Sequence, residues 1–294
     1  MLPLLDAHNH LQDPWLKPHL ERVLRELPPA GVRACVVNGT SEQDWPDVAE
    51  LCRTSDSQLS TLNAQLSLLP AYGLHPWNVG NASPYWRDAL LRHLDADPRA
   101  SIGEIGLDRW MLDRAKPDDS RLAGLRRAPL EEQRDAFLWQ LDLAAARNLP
   151  VTIHCIDAWG ALADALRRAS LPSRGFLLHS YGGSAELARE FAAAGAYFSF
   201  NGYFLAERAI AKRDVFKPLP AERLLVETDA PAMPLPAERR THELPGLADG
   251  NPINHPANLR AVYTGLAEIR GVDFDALVGQ IEQNFHRLFG PSSR

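Results

Sequence analysis

The chain has 294 residues, 45% of them hydrophobic and 23% charged, a globular composition long enough to bury a core without disulfides or structural metal. A formal charge of −6 excludes a protein that holds nucleic acid by bulk positive charge, but not an enzyme that handles it briefly at a metal centre. Three widely spaced cysteines (Cys35, Cys52, Cys155) without a CxxC pair, no basic-then-apolar leader and no long apolar run point to a reduced, cytoplasmic protein with no membrane span.

Short, almost continuously apolar runs predict strands at Leu4–Ala7, Ala34–Val37, Leu68–Leu74, Ser101–Ile105, Val151–Ile153, Phe176–Leu178, Tyr197–Phe200 and Leu224–Val226. Continuous rather than alternating hydrophobicity is what parallel strands buried on both faces require. Amphipathic stretches lie between them. Leu130–Asn148 is the clearest, with Phe137, Leu138, Leu141 and Ala145 at helical spacing and Glu131 and Glu132 in its first turn, where acids favour the helix dipole. Asp157–Ala169, Ser184–Ala194 and Asn258–Arg270 read the same way, and Phe274–Phe289 closes the chain. Eight strands, each followed by a helix or long loop, predict an α/β fold, a single (β/α)8 barrel domain over 1–294. The alternative, an open doubly wound sheet, would carry a Gly-rich phosphate loop after its first strand, and none is present. Two connections are long. Arg109–Ala128 carries six basic and three acidic residues, and Ala230–His255 is rich in proline and contains Arg239, Arg240 and His242. Both belong to the C-terminal face, where barrel loops carry function.

Four of the ten histidines fall at carboxyl ends of predicted strands: His8, His10, His154 and His179. His8 and His10 are two apart on one strand, so both point to the same side and can reach one ion. Glu104 and Asp229 occupy matching strand ends. Taken singly, each has a bland reading, such as a satisfied polar residue, a loop ion pair or, for Asp229, a helix cap before Pro231. Six ligand-type side chains at the same end of five strands are a poor fit to chance, because a barrel gathers those ends over its mouth. Imidazoles and carboxylates suit Zn, Mn and related ions, and carboxylates also suit Mg. Six ligands exceed the three that one catalytic ion usually takes, which suggests two divalent ions bridged by a carboxylate. Glu104 is the expected bridge, since none of the four lysines (Lys17, Lys116, Lys212, Lys217) falls at a predicted strand end. Such a centre supports hydrolysis by acidified water, with Asp229 as ligand and general base. A serine elbow (GxSxG) is absent. Cys155 points opposite to His154 and reads as a core thiol. His75, at the end of strand three, reads either as a substrate contact or as a structural cap. Trp77 and Tyr203 read as packing residues or as stacking surfaces, and His19, His93 and His286 as structural.

The strings DAHNHL, GLHPW, IGEIGLD, PVTIHC, HSYGGS, SFNGY, LLVETDAP and NFHRLFG, in this order over residues 4–290, resemble the TatD family of metal-dependent hydrolases. The resemblance implies a TIM barrel of the amidohydrolase superfamily with deoxyribonuclease-type activity and a transient DNA or nucleotide substrate. It implies that His8 and His10 bind a first metal, Glu104 bridges, His154 and His179 bind a second, and Asp229 ligates and acts as base. His75 matches the family's GxHP histidine at the active-site mouth. Three features depart from the pattern. Ile156 stands where an arginine is common, the late Asn-Glu-Pro motif reads Asn254-His255-Pro256, and the Arg109–Ala128 stretch is long. Arg109, Arg114, Arg121, Arg126 and Arg127 are either replacement phosphate contacts or a solvated helical face. A phosphodiesterase is the leading expectation. A same-scaffold hydrolase of another ester, an amide or an aminoacyl-tRNA is the alternative, and a non-catalytic, partner-dependent barrel subunit is a third. No obligate protein partner is evident.

Overall fold

The structure is a computed structural model that describes residues 2–62, 66–247 and 250–291. Eight parallel strands form one sheet in sequence order: β1 Leu4–Asn9, β2 Val32–Asn38, β3 Ser67–Tyr72, β4 Ser101–Asp108, β5 Val151–Ile156, β6 Phe176–Leu178, β7 Ala196–Phe200 and β8 Leu224–Val226. Seven parallel ladders join neighbours. The seam between β8 and β1 is closed just past the end of β8. There Asp229 N donates to His8 O at 3.0 Å and His10 N to Ala230 O at 2.8 Å. The buried Asp6 carboxylate takes Thr228 Oγ1 at 2.6 Å and Thr228 N at 2.9 Å across the same seam. The expected barrel is therefore the fold, a (β/α)8 TIM barrel.

The helices are α1 Leu20–Glu26, α2 Trp45–Leu62, α3 Trp86–Ala96, α4 Trp110–Asp113, α5 Leu130–Arg147, α6 Trp159–Leu166, α7 Ala185–Ala193, α8 Ile210–Asp214, α9 Leu259–Arg270 and α10 Phe274–Phe289. Their ends follow local chemistry. Ser184 caps α7 by accepting from Leu187 N, and Asp273 caps α10 by accepting from Ala276 N, each satisfying an orphan N–H. Asn148 and Gly271 end α5 and α9 in the left-handed conformation, as helix C-termini commonly do. None of the helices searched is long and apolar enough to cross a membrane.

Two features of this frame place the site. β4 continues to Asp108, three residues beyond the expected end at Ile105, and stays paired with β5 through Gly106–His154 and Asp108–Ile156. Gly106 permits this because a Cβ there would lie 1.9 Å from His154 O. Two buried glutamines of α5 then brace the strand ends. Gln140 Oε1 accepts from Leu74 N at 2.7 Å, and Gln133 Oε1 accepts from Asp108 N at 2.8 Å. They are two helical turns apart, so one rigid helix sets the relative height of the β3 and β4 ends. The Arg109–Ala128 connection does not form the helical face that was one of its two readings. Only the short α4 and a 3-10 turn at Ser120–Leu122 are helical, since Pro117 and Gly124 interrupt any longer run.

Candidate metal centre

The carboxyl ends of β1, β4, β5, β6 and β8 bring all six expected ligands together. His8 Nε2 lies 3.1 Å from His10 Nε2, and Glu104 Oε2 lies 3.5 and 3.3 Å from these two nitrogens. Asp229 Oδ1 completes the group at 3.6 and 3.7 Å. The other oxygen of Glu104, Oε1, lies 2.8 Å from both His154 Nδ1 and His179 Nε2, which are 3.2 Å apart. Donors bound about 2.0–2.1 Å from a tetrahedral ion lie about 3.3–3.4 Å from one another. The donor spacings on the β1 side scatter around that value, so these side chains could hold a metal ion.

The outer nitrogens decide which lone pairs are available. His10 Nδ1 faces the Asn38 carbonyl oxygen at 2.8 Å, His154 Nε2 faces Asp108 Oδ2 at 3.0 Å, and His179 Nδ1 faces Glu227 Oε1 at 3.6 Å. An acceptor on the outside keeps the proton there and leaves the inner nitrogen free to ligate. Glu227 is itself held by Ser199 and Asn201. His75 differs. Its Nδ1 accepts from Trp77 N at 3.2 Å, so Nε2 carries the proton and points it at Glu104 Oε1, 3.5 Å away. This makes His75 a donor into the site rather than a ligand.

The cluster is buried. Exposure is 0% at His8, 3% at Glu104 and 7% at His154 and His179. Burial opposes charge on every imidazole, yet the neighbouring carboxylates outweigh it: His10 and His154 are pushed up to about 9 and His179 well above its ordinary range. Burial and the charge on His179 push His8 down to about 4. Burial also raises Glu104, but the charges of His179, His75 and His8 hold it well below the usual carboxylate range. Burial lifts Asp229 to about 7. Without metal, the centre thus stores protons where cations would sit, and loading it releases them. Asp229 also holds a left-handed backbone at φ 53°, a strained conformation characteristic of functional strand ends.

A profile of the family described as TatD related DNase matches residues 5–290. The chain belongs to the TatD family. It is 27% identical over 289 residues to the metal-dependent hydrolase YabD of Bacillus subtilis (strain 168), covering 97% of this chain and 98% of that one. It is 30% identical over 269 residues to the 3'-5' ssDNA/RNA exonuclease TatD of Escherichia coli (strain K12), with 89% of each covered. Among solved structures it resembles YjjV, a TatD homologue of Escherichia coli K12, at TM-score 0.78 and 30% identity over 97% of both chains. TatD-family membership makes this chain a metal-dependent hydrolase, and the buried His, Glu and Asp side chains form groups that could hold a metal ion.

Asp108 and Glu227 were not anticipated from the sequence. Both sit an even number of residues from a ligand on the same strand or its extension, Asp108 after Glu104 and Glu227 before Asp229, so strand alternation aims them to the same side. Cys155 is buried and burial raises its thiol, as befits a core residue. The arginines of the long connection are mostly engaged locally. Arg109 pairs with Asp113 at 2.9 Å, Arg114 with Asp157 at 3.4 Å and Arg126 with Glu132 at 2.6 Å.

His255, in the departed motif, is fully buried. Its Nδ1 accepts from Ala257 N at 3.0 Å, and its Nε2 lies 3.0 Å from Glu26 Oε2 of α1. Burial, then the charge of His242, pushes it down to about 4 despite Glu26. Unfolded, it would titrate at about 6.5. The unfolded chain therefore binds the extra proton between these values, and stability falls as pH drops from about 6.5 to about 4. In His255→Asn the amide oxygen keeps the cap and the titration is gone. Urea unfolding is expected to show a wild-type acid limb steeper by roughly 3 kcal/mol in total. Parallel curves for the two proteins would refute it.

Proposed function

We propose that this chain is one TIM-barrel enzyme holding two divalent ions and hydrolysing phosphodiester bonds at the ends of single-stranded DNA or RNA. The observation that carries the reading is the division of Glu104, one oxygen toward His8 and His10 and the other toward His154 and His179. His8, His10 and Asp229 would hold the first ion, His154 and His179 the second, and Glu104 would bridge them. Mg, Mn and Zn all suit this donor set. When bound, such ions acidify water and stabilise charge developing on a phosphoryl group. Asp229 accepts the proton of the attacking water. His75 presents its Nε2 proton to a phosphate oxygen, while Asp108, Glu227 and the Asn38 carbonyl fix the imidazoles. The relatives named as ssDNA/RNA exonucleases support nucleic acid as the substrate, and three buried cysteines outside any disulfide fit a reducing compartment.

Purified protein supplied with Mg, Mn or Zn is expected to shorten labelled single-stranded DNA or RNA, and to lose this with EDTA and in His154→Ala. Turnover of generic esters alone would replace the nuclease reading with the broader esterase one. Two bound ions with no turnover of any substrate would point to a non-catalytic barrel.

A further inference from the structure

The barrel mouth carries a row of rings that leads away from the metal centre. The His154 and His75 rings are 4.4 Å apart, those of His75 and Trp77 5.5 Å, and those of Trp77 and Trp110 6.0 Å, the two indoles tilted by 31°. The Arg121 guanidinium lies over Trp110, 4.4 Å from its ring centre. His75 is buried, the two indoles are half-buried, and the Arg121 side chain is 49% exposed. The row thus starts among the ligands and ends in solvent.

Its members are locked to the catalytic machinery. Asp108 Oδ2 takes Trp77 Nε1 at 2.7 Å and His154 Nε2 at 3.0 Å. Asp108 Oδ1 takes Met111 N at 2.9 Å, in the first turn of α4, which carries Trp110. One buried carboxylate therefore sets a ligand and both indoles. Arg121 is fixed from the other end by Asp119, at 2.9 and 2.7 Å. Two of the row's members, Trp110 and Arg121, come from the long connection after β4, which had no assigned purpose.

The geometry points to a binding site for a nucleobase. On the nuclease reading, which this inference rests on, the row is the track along which the strand beside the scissile phosphate lies. Trp77 spends its only polar group on Asp108, so it offers a partner its ring alone. Base–aromatic stacking is strong and indifferent to base identity. A planar base with free faces fits such a surface, and bases expose their faces only when unpaired. The track therefore selects single strands without reading their sequence, and Arg121 adds a cation against the base or its backbone.

The test compares a labelled oligothymidylate with an abasic strand of equal length, by fluorescence anisotropy in low-salt EDTA buffer. Wild-type protein is expected to bind the base-bearing strand on the order of 10-fold more tightly. Trp110→Ala should lose that preference while its affinity for the abasic strand stays the same, and Trp110→Phe should keep most of it. Equal wild-type affinity for the two strands overturns the track without needing any variant. So does a Trp110→Ala protein that retains the preference. A wild-type protein that cleaves single strands with Mg or Mn yet shows no preference refutes the track alone. One that neither binds nor cleaves them removes the nuclease reading and the track with it.

Discussion

Glu104→Gln is expected to lower turnover by at least about a thousandfold and to reduce the metal content of the purified protein. The two oxygens of Glu104 are the nearest carboxylate oxygens to four imidazole nitrogens, at 3.5, 3.3, 2.8 and 2.8 Å. Glutamine has the same shape but replaces one acceptor with an NH2 group. Whichever way the amide turns, it aims N–H bonds at a pair of ring nitrogens that have lone pairs to offer. It also removes a negative charge from a site that is 3% exposed, where water cannot compensate. Divalent cations are then opposed by fewer charges, and one imidazole pair loses its shared oxygen. Metal analysis after dialysis should find fewer than the two ions per chain expected of wild type. A Gln variant that keeps both ions and a rate within about tenfold of wild type would show that Glu104 does not bridge.

The fold was legible in the sequence because parallel strands buried on both faces leave continuous apolar runs, and eight such runs separated by amphipathic stretches admit few architectures. The candidate ligand cluster was legible for a related reason: a strand end is where an apolar run stops, and five of the eight stops carry its six histidines and acids. What escaped was the layer behind the ligands. Asp108 lay hidden because β4 was expected to end at Ile105, a glycine usually marking a break. Gly106 instead allows the backbone of β5 to approach closely, and the strand runs on to Asp108. Glu227 lay beside Asp229 in one motif, and the more conspicuous residue absorbed the interpretation. The Asn38 contact is made by a backbone carbonyl, which no residue identity can signal. Gln133 and Gln140 read as polar positions on an amphipathic helix, yet both are fully buried against strand ends. The role of the long basic connection was likewise out of reach, since an arginine's partner depends on tertiary approach. Arg121 pairs with its near neighbour Asp119, but its contact with Trp110, eleven residues back, depends on how the connection folds.

Asp229→Asn should separate ligation from proton transfer. The asparagine side chain oxygen can occupy the place of Asp229 Oδ1, 3.6 and 3.7 Å from the His8 and His10 nitrogens. Asparagine also tolerates the left-handed backbone at φ 53° better than almost any residue but glycine, whereas alanine would add strain to the loss of the side chain. The barrel seam, made by the backbone of Asp229 and Ala230 against β1, is untouched. The amide is far too weak a base to take a proton from water, so kcat is expected to fall by about 100- to 10,000-fold. KM should stay near wild type, because the interaction lost is one made only as the water attacks, and metal content should fall less than in Glu104→Gln, because the amide oxygen can still ligate. The reverse split, a raised KM or a lost ion with kcat little changed, would assign Asp229 to binding and leave the proton to another acceptor.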